Sequence, residues 1–419
     1  MSATLARGSF YEALANVAKV ARGALPSARF VRLESKAAER VLMLTTFNGQ
    51  TAIESILAAE VADDMTAYID AAVLLKLLSA MPDGAISLNA GGTGLTMITG
   101  DGKFKNDLKT GSDIEIPVIA GSTMTRLAAF PGIELRRLGR AVKFASGDEA
   151  KPGLMAVHVL FKKAGSQTIA VASASDGFAA IQSLAPAECN EEAVGKAIAI
   201  PAQIMGLMLE IVRPDDTVTL HRSGETRFVV AITNEKTGKH LTLASSESAA
   251  FPPYEQIDKM IKSTKDGADV NIEVDTGSLS NALDIVEAYG GSNDPAYFFL
   301  SACGELVRYA SNPTENGQCR ALLDGTLNGP KATRWFNPAM LRTAAGLMPE
   351  KTRLALASKP KTPLLFMGDN VRIMIAPLDN AALKEVTFEA AAVELPMELP
   401  PAAPLPTRKK KAAVPVAAD

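Results

Sequence analysis

Chemistry at a protein surface begins with a few residue types, and in this chain the first to weigh are His158, His221 and His240, with Cys189, Cys303 and Cys319. A bound zinc needs ligands at spacings such as Cys-x-x-Cys or His-Glu-x-x-His, which bring two donors onto one turn or one helix face. No such spacing surrounds these residues. The histidines fall in or beside predicted strands, where a structural or solvent-facing role is the ordinary one. Asp148-Glu149 precede a turn and Asp215-Asp216 follow a helix, so both read as caps and turns rather than an acid/base pair. Ala90-Gly91-Gly92-Thr93-Gly94 joins two strands and lacks the lysine of a phosphate-cradling loop. An enzyme on a β-rich scaffold is therefore the remote alternative, and neither a cofactor nor a metal is expected.

Recognition without covalent chemistry remains, and its most specific trace is a turn. Asp176-Gly177 lies between two partly apolar runs, the strongest short-range hairpin signal, because both residues tolerate positive φ. Ser175-Asp-Gly-Phe-Ala-Ala-Ile-Gln-Ser183 has a counterpart in Thr46-Phe-Asn-Gly-Gln-Thr-Ala-Ile-Glu-Ser55, with Asn48-Gly49 over Asp176-Gly177. The chain thus repeats itself at domain scale.

The elements that must position these turns recur in the same order. In the first unit, Phe10, Leu14, Val17 and Ala21 mark a helix from Ser9 to Arg22 with Ser9 as its cap, and Pro26 stops it. Strands at Phe30–Leu33 and Val41–Thr45 lead to Asn48-Gly49. A helix from Asp70 to Met81, strands at Ile86–Leu88 and Leu95–Ile98, and an arm with Lys103, Lys105 and Lys109 complete the unit. The second unit has a helix at 133–145, strands at 157–161 and 168–173, and a helix that Pro201 opens at its first position. Three further strands end at Phe251-Pro252. The third has Leu279, Leu283 and Val286 on a helix over 276–288, a second helix from Asn337 to Met348, and strands up to 376. This reading divides the chain into 1–127, 128–262 and 263–378. An Ala/Pro-rich tail over 379–419, with Arg408-Lys409-Lys410-Lys411, buries too little surface to order itself.

Composition agrees. A chain of 419 residues is too long for one core, and 47% hydrophobic content supports well-buried ones. Aromatic content of 5% argues against an aromatic-lined single-strand groove. A net charge of −3 excludes a uniformly basic nucleic-acid coat but permits a basic stripe. Three cysteines without metal spacing suit a reduced cytosolic protein. Met1 to Gly23 lacks an apolar signal core and no eighteen apolar residues run together, so a soluble, cytoplasmic protein without a membrane partner is expected.

The threefold order resembles the bacterial DNA polymerase III β subunit, the sliding clamp, over residues 1 to about 378. Its specific pieces are Ala174-Ser175-Asp176-Gly177 (Ala-Thr-Asp-Gly in the family), Phe251-Pro252-Pro253-Tyr254 (Phe-Pro-x-Tyr) and Met374-Ile375-Ala376-Pro377-Leu378. The chain departs from the pattern where Phe178-Ala179-Ala180 replaces His/Tyr-Arg-Leu. It departs again where Ala-Pro-Leu-Asp-Asn and a long extension replace the family's terminal Met-Pro-x-Arg-Leu. It reads as a diverged member.

The resemblance implies an α+β fold of three tandem clamp-like domains, each with two helices packed on antiparallel sheets. Two chains would join head to tail as a homodimer and close a ring around double-stranded DNA, bound without regard to sequence. Seam edges are expected near Lys103–Leu108 and Phe298–Leu300. Helix-borne Lys19, Arg22, Lys76, Arg136, Arg137, Arg140, Lys143, Arg213 and Arg342 would face the phosphates, against Asp284 and Glu287 on the fifth helix. Lys103, Lys105 and Lys109 read equally as a second DNA arm or as a charged edge strand. A DNA polymerase and a clamp loader would dock through short linear peptides in a pocket of Leu154, Ser175, Gly177, Phe178, Ala180, Pro252, Ile257, Met374, Ala376 and Leu378. Small Ala376 leaves room for a bulkier anchor, and Phe178 narrows the other end. A clamp paralogue with a different partner set is the alternative.

Overall fold

One sequence of elements is used three times. The first repeat runs β1 (Ser2–Ala6), α1 (Arg7–Val17), β2 (Phe30–Lys36), β3 (Val41–Phe47), β4 (Ala52–Ala58), β5 (Glu60–Val61), β6 (Met65–Asp70), α2 (Ala71–Ala80), β7 (Ala85–Gly91), β8 (Gly94–Thr99) and β9 (Lys105–Lys109). The second runs β10 (Met124–Pro131), α3 (Gly132–Leu138), β11 (Ala156–Ala164), β12 (Gln167–Ser175), β13 (Ala179–Pro186), β14 (Glu188–Cys189), β15 (Ala197–Pro201), α4 (Ala202–Ile211), β16 (Thr217–Ser223), β17 (Arg227–Asn234) and β18 (Lys239–Ser246). A connecting helix, α5 (Tyr254–Asp266), leads into the third repeat. That repeat is β19 (Val270–Asp275), α6 (Thr276–Ala288), β20 (Phe298–Cys303), β21 (Leu306–Ser311), β22 (Arg320–Leu323), β23 (Gly325–Asn328), β24 (Ala332–Phe336), α7 (Pro338–Ala345), β25 (Lys351–Leu356), β26 (Leu364–Met367) and β27 (Val371–Ile375). This computed structural model describes residues 2–21, 25–91, 94–111, 114–116, 124–248, 254–291, 295–303, 306–379, 383, 384, 386 and 388. Arg22, Pro252, the Phe251-Pro252-Pro253 corner and Arg408–Lys411 lie outside the described residues.

Side-chain caps account for three of the helix starts. The Asp70 carboxylate accepts the Ala72 and Val73 N–H groups at 3.0 and 3.2 Å, and Asp275 caps α6 through Ser278 at 2.6 Å. Asn337 caps α7 through Ala339 at 2.9 Å. The expected Ser9 cap is not used: α1 starts at Arg7, which places Ser9 inside its first turn, and Ala6 at the N-cap offers no side-chain acceptor. Pro201 ends β15 and takes the cap position, one residue before α4. The helix expected over 133–145 changes winding partway: α3 stops at Leu138 and a 3-10 segment continues from Gly139 to Phe144. There α4 comes so close that a Cβ on Gly139 would meet Leu209 Cδ2 at 2.4 Å.

The opening strands β1 and β10 carry no strong local signal, although β19, Val270-Asn-Ile-Glu-Val-Asp275, alternates strictly, and the sequence reading began each unit at its helix. In consequence the boundaries drawn at 127/128 and 262/263 fall inside β10 and α5. The sheets explain why no cut is clean. Two nine-stranded antiparallel sheets cross the repeats, β14-β10-β16-β17-β18-β4-β3-β2-β6 and β15-β11-β12-β13-β27-β26-β25-β19-β23. Each repeat gives one half-sheet to each neighbour. The leftover halves are a five-stranded sheet, β5-β1-β7-β8-β9, and a four-stranded one, β22-β21-β20-β24. Phe298–Leu300, expected at an edge, instead lies in β20 between β21 and β24; the edges of that sheet are β22 and β24.

Alternation along the strands splits the sheets into two faces. Val31, Leu33, Ile53, Ile181 and Ile373 point to the helix side and join Phe10, Leu14, Leu74, Leu279, Leu283 and Leu341 in one continuous core. The opposite face is mostly polar. At the junction of the second and third repeats it is covered by α5. Trp335 and Phe336 are core residues. No helix among the described residues is long and apolar enough to cross a membrane.

Candidate functional site

The two sequence turns are the same object. The Asn48 Oδ1 accepts the Gln50 and Thr51 N–H groups at 3.1 and 2.8 Å, and Asp176 Oδ1 accepts those of Phe178 and Ala179 at 2.8 and 2.7 Å. Gly49 has φ +96° and Gly177 φ +97°, values that only glycine adopts without strain. A third copy, Asn316-Gly317 with φ +106° at the glycine, sits in a longer loop before β22. The lengthened loop concealed it in the sequence.

Behind each of the first two turns lies a joint between repeats. At the first joint β4 pairs with β18, Ile53 opposite Leu243; at the second β13 pairs with β27, Ala180 opposite Met374. On the face away from the helices, a polar row crosses each joint. In the first it is Arg32–Thr45–Glu54–Thr242, and in the second His158–Ser173–Gln182–Arg372. Arg32 donates to Thr45 Oγ1 at 3.5 Å and to the Ile116 carbonyl at 3.1 Å, and Thr45 donates to Glu54 at 3.4 Å. Burial raises the Glu54 pKa in spite of the Arg32 charge beside it. In the second row no carboxylate lies within the sheet. It comes from α5: Asp258 accepts from the Gln182 amide at 3.2 Å and from Lys162 Nζ at 3.4 Å. Burial opposes the Asp258 charge, but the Gln182 and Lys162 contacts win and its pKa lies below the ordinary value.

Beside the second row is an apolar patch, and here the expected pocket residues divide. Ala180, Ile257 and Met374 are buried, packed with Ile261, Ala355 and Leu365, while Leu154 leans on the cluster. The occupant of the patch is α5 itself, through Ile257 and Ile261. Gly177 and Phe178 are exposed, Phe178 by 63%. Ser175, Ala376 and Leu378 are half-buried; Ser175 donates to the Ala179 carbonyl at 2.7 Å, and Ala376 N–H to the Phe178 carbonyl at 2.8 Å. The sequence reading included Ile257 but not the helix that carries it. The signal was present: Ile257 and Ile261, four residues apart, make one helical stripe.

The expected phosphate-facing cations also divide. Lys19 pairs with Glu210 at 2.7 Å and Arg213 with Glu12 at 2.7 Å, which ties α1 and the turn after it to α4 and its C-terminal end. Arg342 on α7 pairs with Asp284 and Glu287 on α6, and Arg137 with Glu134 at 2.6 Å. Arg136 donates to the Val212 carbonyl at 2.7 Å. Lys76 and Lys143 are exposed and Arg140 is half-buried, and these three form no ion pair with the described residues. Lys105 and Lys109 stand on the edge strand β9. Asp216, read as a turn residue, is a buried anchor instead: it accepts from Lys239 at 2.6 Å, Asn234 at 3.0 Å and the Arg213 N–H at 2.8 Å. Among the described residues no group of three or more His, Cys, Asp or Glu could hold a metal ion.

No protein-family model and no curated protein sequence matches the chain. Solved structures do. A DNA polymerase sliding clamp from Bacillus subtilis aligns at TM-score 0.79 and 16% identity, over 91% of this chain and 99% of its own. The DNA polymerase III subunit β from Pseudomonas aeruginosa aligns at 0.78 and 18%, over 90% and 100%. A sliding clamp from Caulobacter crescentus aligns at 0.76 and 21%, over 91% and 100%. Three repeats of one α+β unit, two sheets shared between them and agreement over the full length of these structures give this chain the fold of the DNA polymerase sliding clamp.

Proposed function

We propose that the protein is a non-catalytic processivity clamp, a homodimeric ring that encircles double-stranded DNA in the cytoplasm and tethers a polymerase and other DNA-processing proteins. The observation that carries this reading is the pair of open edges. In both internal joints the strand after the Asx-Gly turn pairs with the last strand of the next repeat. By the same rule β22 of one chain pairs with β9 of another, and a closed head-to-tail dimer uses these two edges of each chain. Transfer of the joint register sets Asn106 opposite Ala321 and therefore Asp107 opposite Arg320. Phe104 and Leu322, exposed by 51% and 59%, lie at this seam. Arg140, Lys143 and Lys76 on the helix side supply phosphate contacts that do not depend on sequence. The exposed Phe178 rim and the patch beneath α5 form the docking site for apolar peptide anchors.

The test is topological. The protein loaded on nicked circular DNA should stay bound and should leave when the circle is linearised. Asp107→Arg should weaken retention through like charges across the seam, and Arg320→Asp in the same chain should restore it. Equal retention on circular and linear DNA would refute the ring. A second reading, a clamp paralogue with its own partner set, is favoured by α5 in the apolar patch and by alanine at 179, where the family has arginine.

A further inference from the structure

We infer that α5 is an intramolecular competitor for the partner site, so that a docking peptide gains the apolar patch only by replacing Ile257 and Ile261. The inference rests on the reading of this patch as a peptide site and adds how access to it is regulated. Three observations support it. First, Ala180 and Met374, which should receive an apolar anchor, are only 2% and 5% exposed, and Ile257 and Ile261 account for the cover. Second, among the described residues few side-chain bonds hold α5 outside that stripe. Asp258 meets Gln182 and Lys162, and Thr264 Oγ1 donates to Met374 Sδ at 3.5 Å. Third, its other face is exposed at Glu255, Lys259, Met260, Lys262 and Lys265. Removal of the helix therefore uncovers the patch without opening the main core, which lies on the other face of the sheet.

The same sheet position at the first joint shows the alternative. There the carboxylate of the polar row, Glu54, belongs to a central strand and cannot leave. At the second joint the carboxylate is on a detachable helix. Of its partners, Lys162 is half-buried and Gln182 is buried beneath α5, so both meet water, and water can replace Asp258, once α5 lifts. A peptide that inserts two apolar side chains would substitute for the two isoleucines, and an acidic residue beside them would substitute for Asp258.

The experiment measures binding of a fluorescein-labelled acidic hexapeptide with leucine and phenylalanine anchors to the full chain. Ile261→Ser should raise affinity about tenfold, because the competitor is weakened while the sheet side of the patch is unchanged. Asp258→Ala, at a more exposed position, should raise it severalfold and guards against a folding defect in the first variant. Hydrogen exchange on the unmodified protein should show faster exchange of the α5 amides when peptide is added. Unchanged or weaker binding by both variants, with binding by the parent lost on Phe178→Ser, would overturn the competitor role and leave the peptide site standing. No binding by the parent or either variant would remove the peptide site, and the inference with it.

Discussion

The two joints share a backbone and differ in what covers them. Ile53 faces Leu243 at the first and Ile181 faces Ile373 at the second, and both pairs enter the same core. On the other face the first joint is completed from within: Arg32, Thr45 and Glu54 stand on adjacent strands, Thr45 bridges the other two, and Glu34 on β2 pairs with Arg32 at 3.5 Å. The second has a row that ends on Arg372 and holds no carboxylate, beside an apolar patch, and it borrows its acid and its cover from α5. A buried ionic row costs desolvation but cannot be displaced. A borrowed helix can be. The same repeat thus serves as a fixed weld in one place and as a coverable surface in the other.

The largest test of that contrast removes the hub of each row. Arg32→Ala leaves Glu54 buried without its counter-charge and should cost about 3–5 kcal/mol in urea unfolding at pH 7. Gln182→Ala at the second joint removes one hydrogen bond, and Asp258 can turn to water, so about 1 kcal/mol is expected. Equal losses would mean that the second row is as closed as the first.

Titration should pull the joints in opposite directions. Burial lowers the His158 pKa from its ordinary 6.5 to about 4. The unfolded chain therefore binds the proton first, and the stability present above pH 6.5 is lost as pH falls towards 4, by up to about 3 kcal/mol. His158→Gln should flatten that acid limb. Glu54 behaves conversely: its folded pKa is raised, so the folded state holds the proton more tightly and stability is lost as pH rises from about 4.5 through the folded value. Glu54→Gln should remove that loss and leave the protein equally or more stable at pH 7. A common direction for both variants would contradict the assignment.

The smallest effect is on DNA. Arg140→Ala with Lys143→Ala, in the second repeat, should lower the slope of log K against log salt by roughly 0.9 for each lost phosphate contact. Lys19→Ala with Arg213→Ala, beside the first joint, should change it less, because Glu210 and Glu12 already hold those charges. Titration of fluorescent duplex DNA over a salt series measures both.

How much of this was legible in the sequence follows from distance along the chain. The stripe Phe10–Leu14–Val17, the Asp275 and Asn337 starts, and the paired turns at Asn48 and Asp176 are local, and each residue type states its own requirement. The joints are not local. Nothing near Ile53 announces Leu243, and nothing near Phe298 announces that β21 and β24 will flank it, so an edge was assigned to a central strand. The ion pairs of Lys19 and Arg213 were hidden for the same reason, since Glu210 and Glu12 lie on helices from another repeat. Helix α5 was legible in principle through Ile257 and Ile261, but its basic and polar remainder reads as a connecting segment. Its place over Met374 depends on strands made more than a hundred residues later.

The exchange of half-sheets also orders events in time. Ile56, already beside Met43, has no strand on its other side until His240 has been synthesised, and Ala180, beside Ser175, must wait for Met374. A growing chain therefore leaves the ribosome with β4, and then β13, as unpaired edges, each able to capture any extended segment that passes. Separated thirds of the gene would not yield separate folded parts, since each cut leaves half a sheet without its complement. Refolding from denaturant should be slow for the same reason, as both closures join segments far apart in the chain.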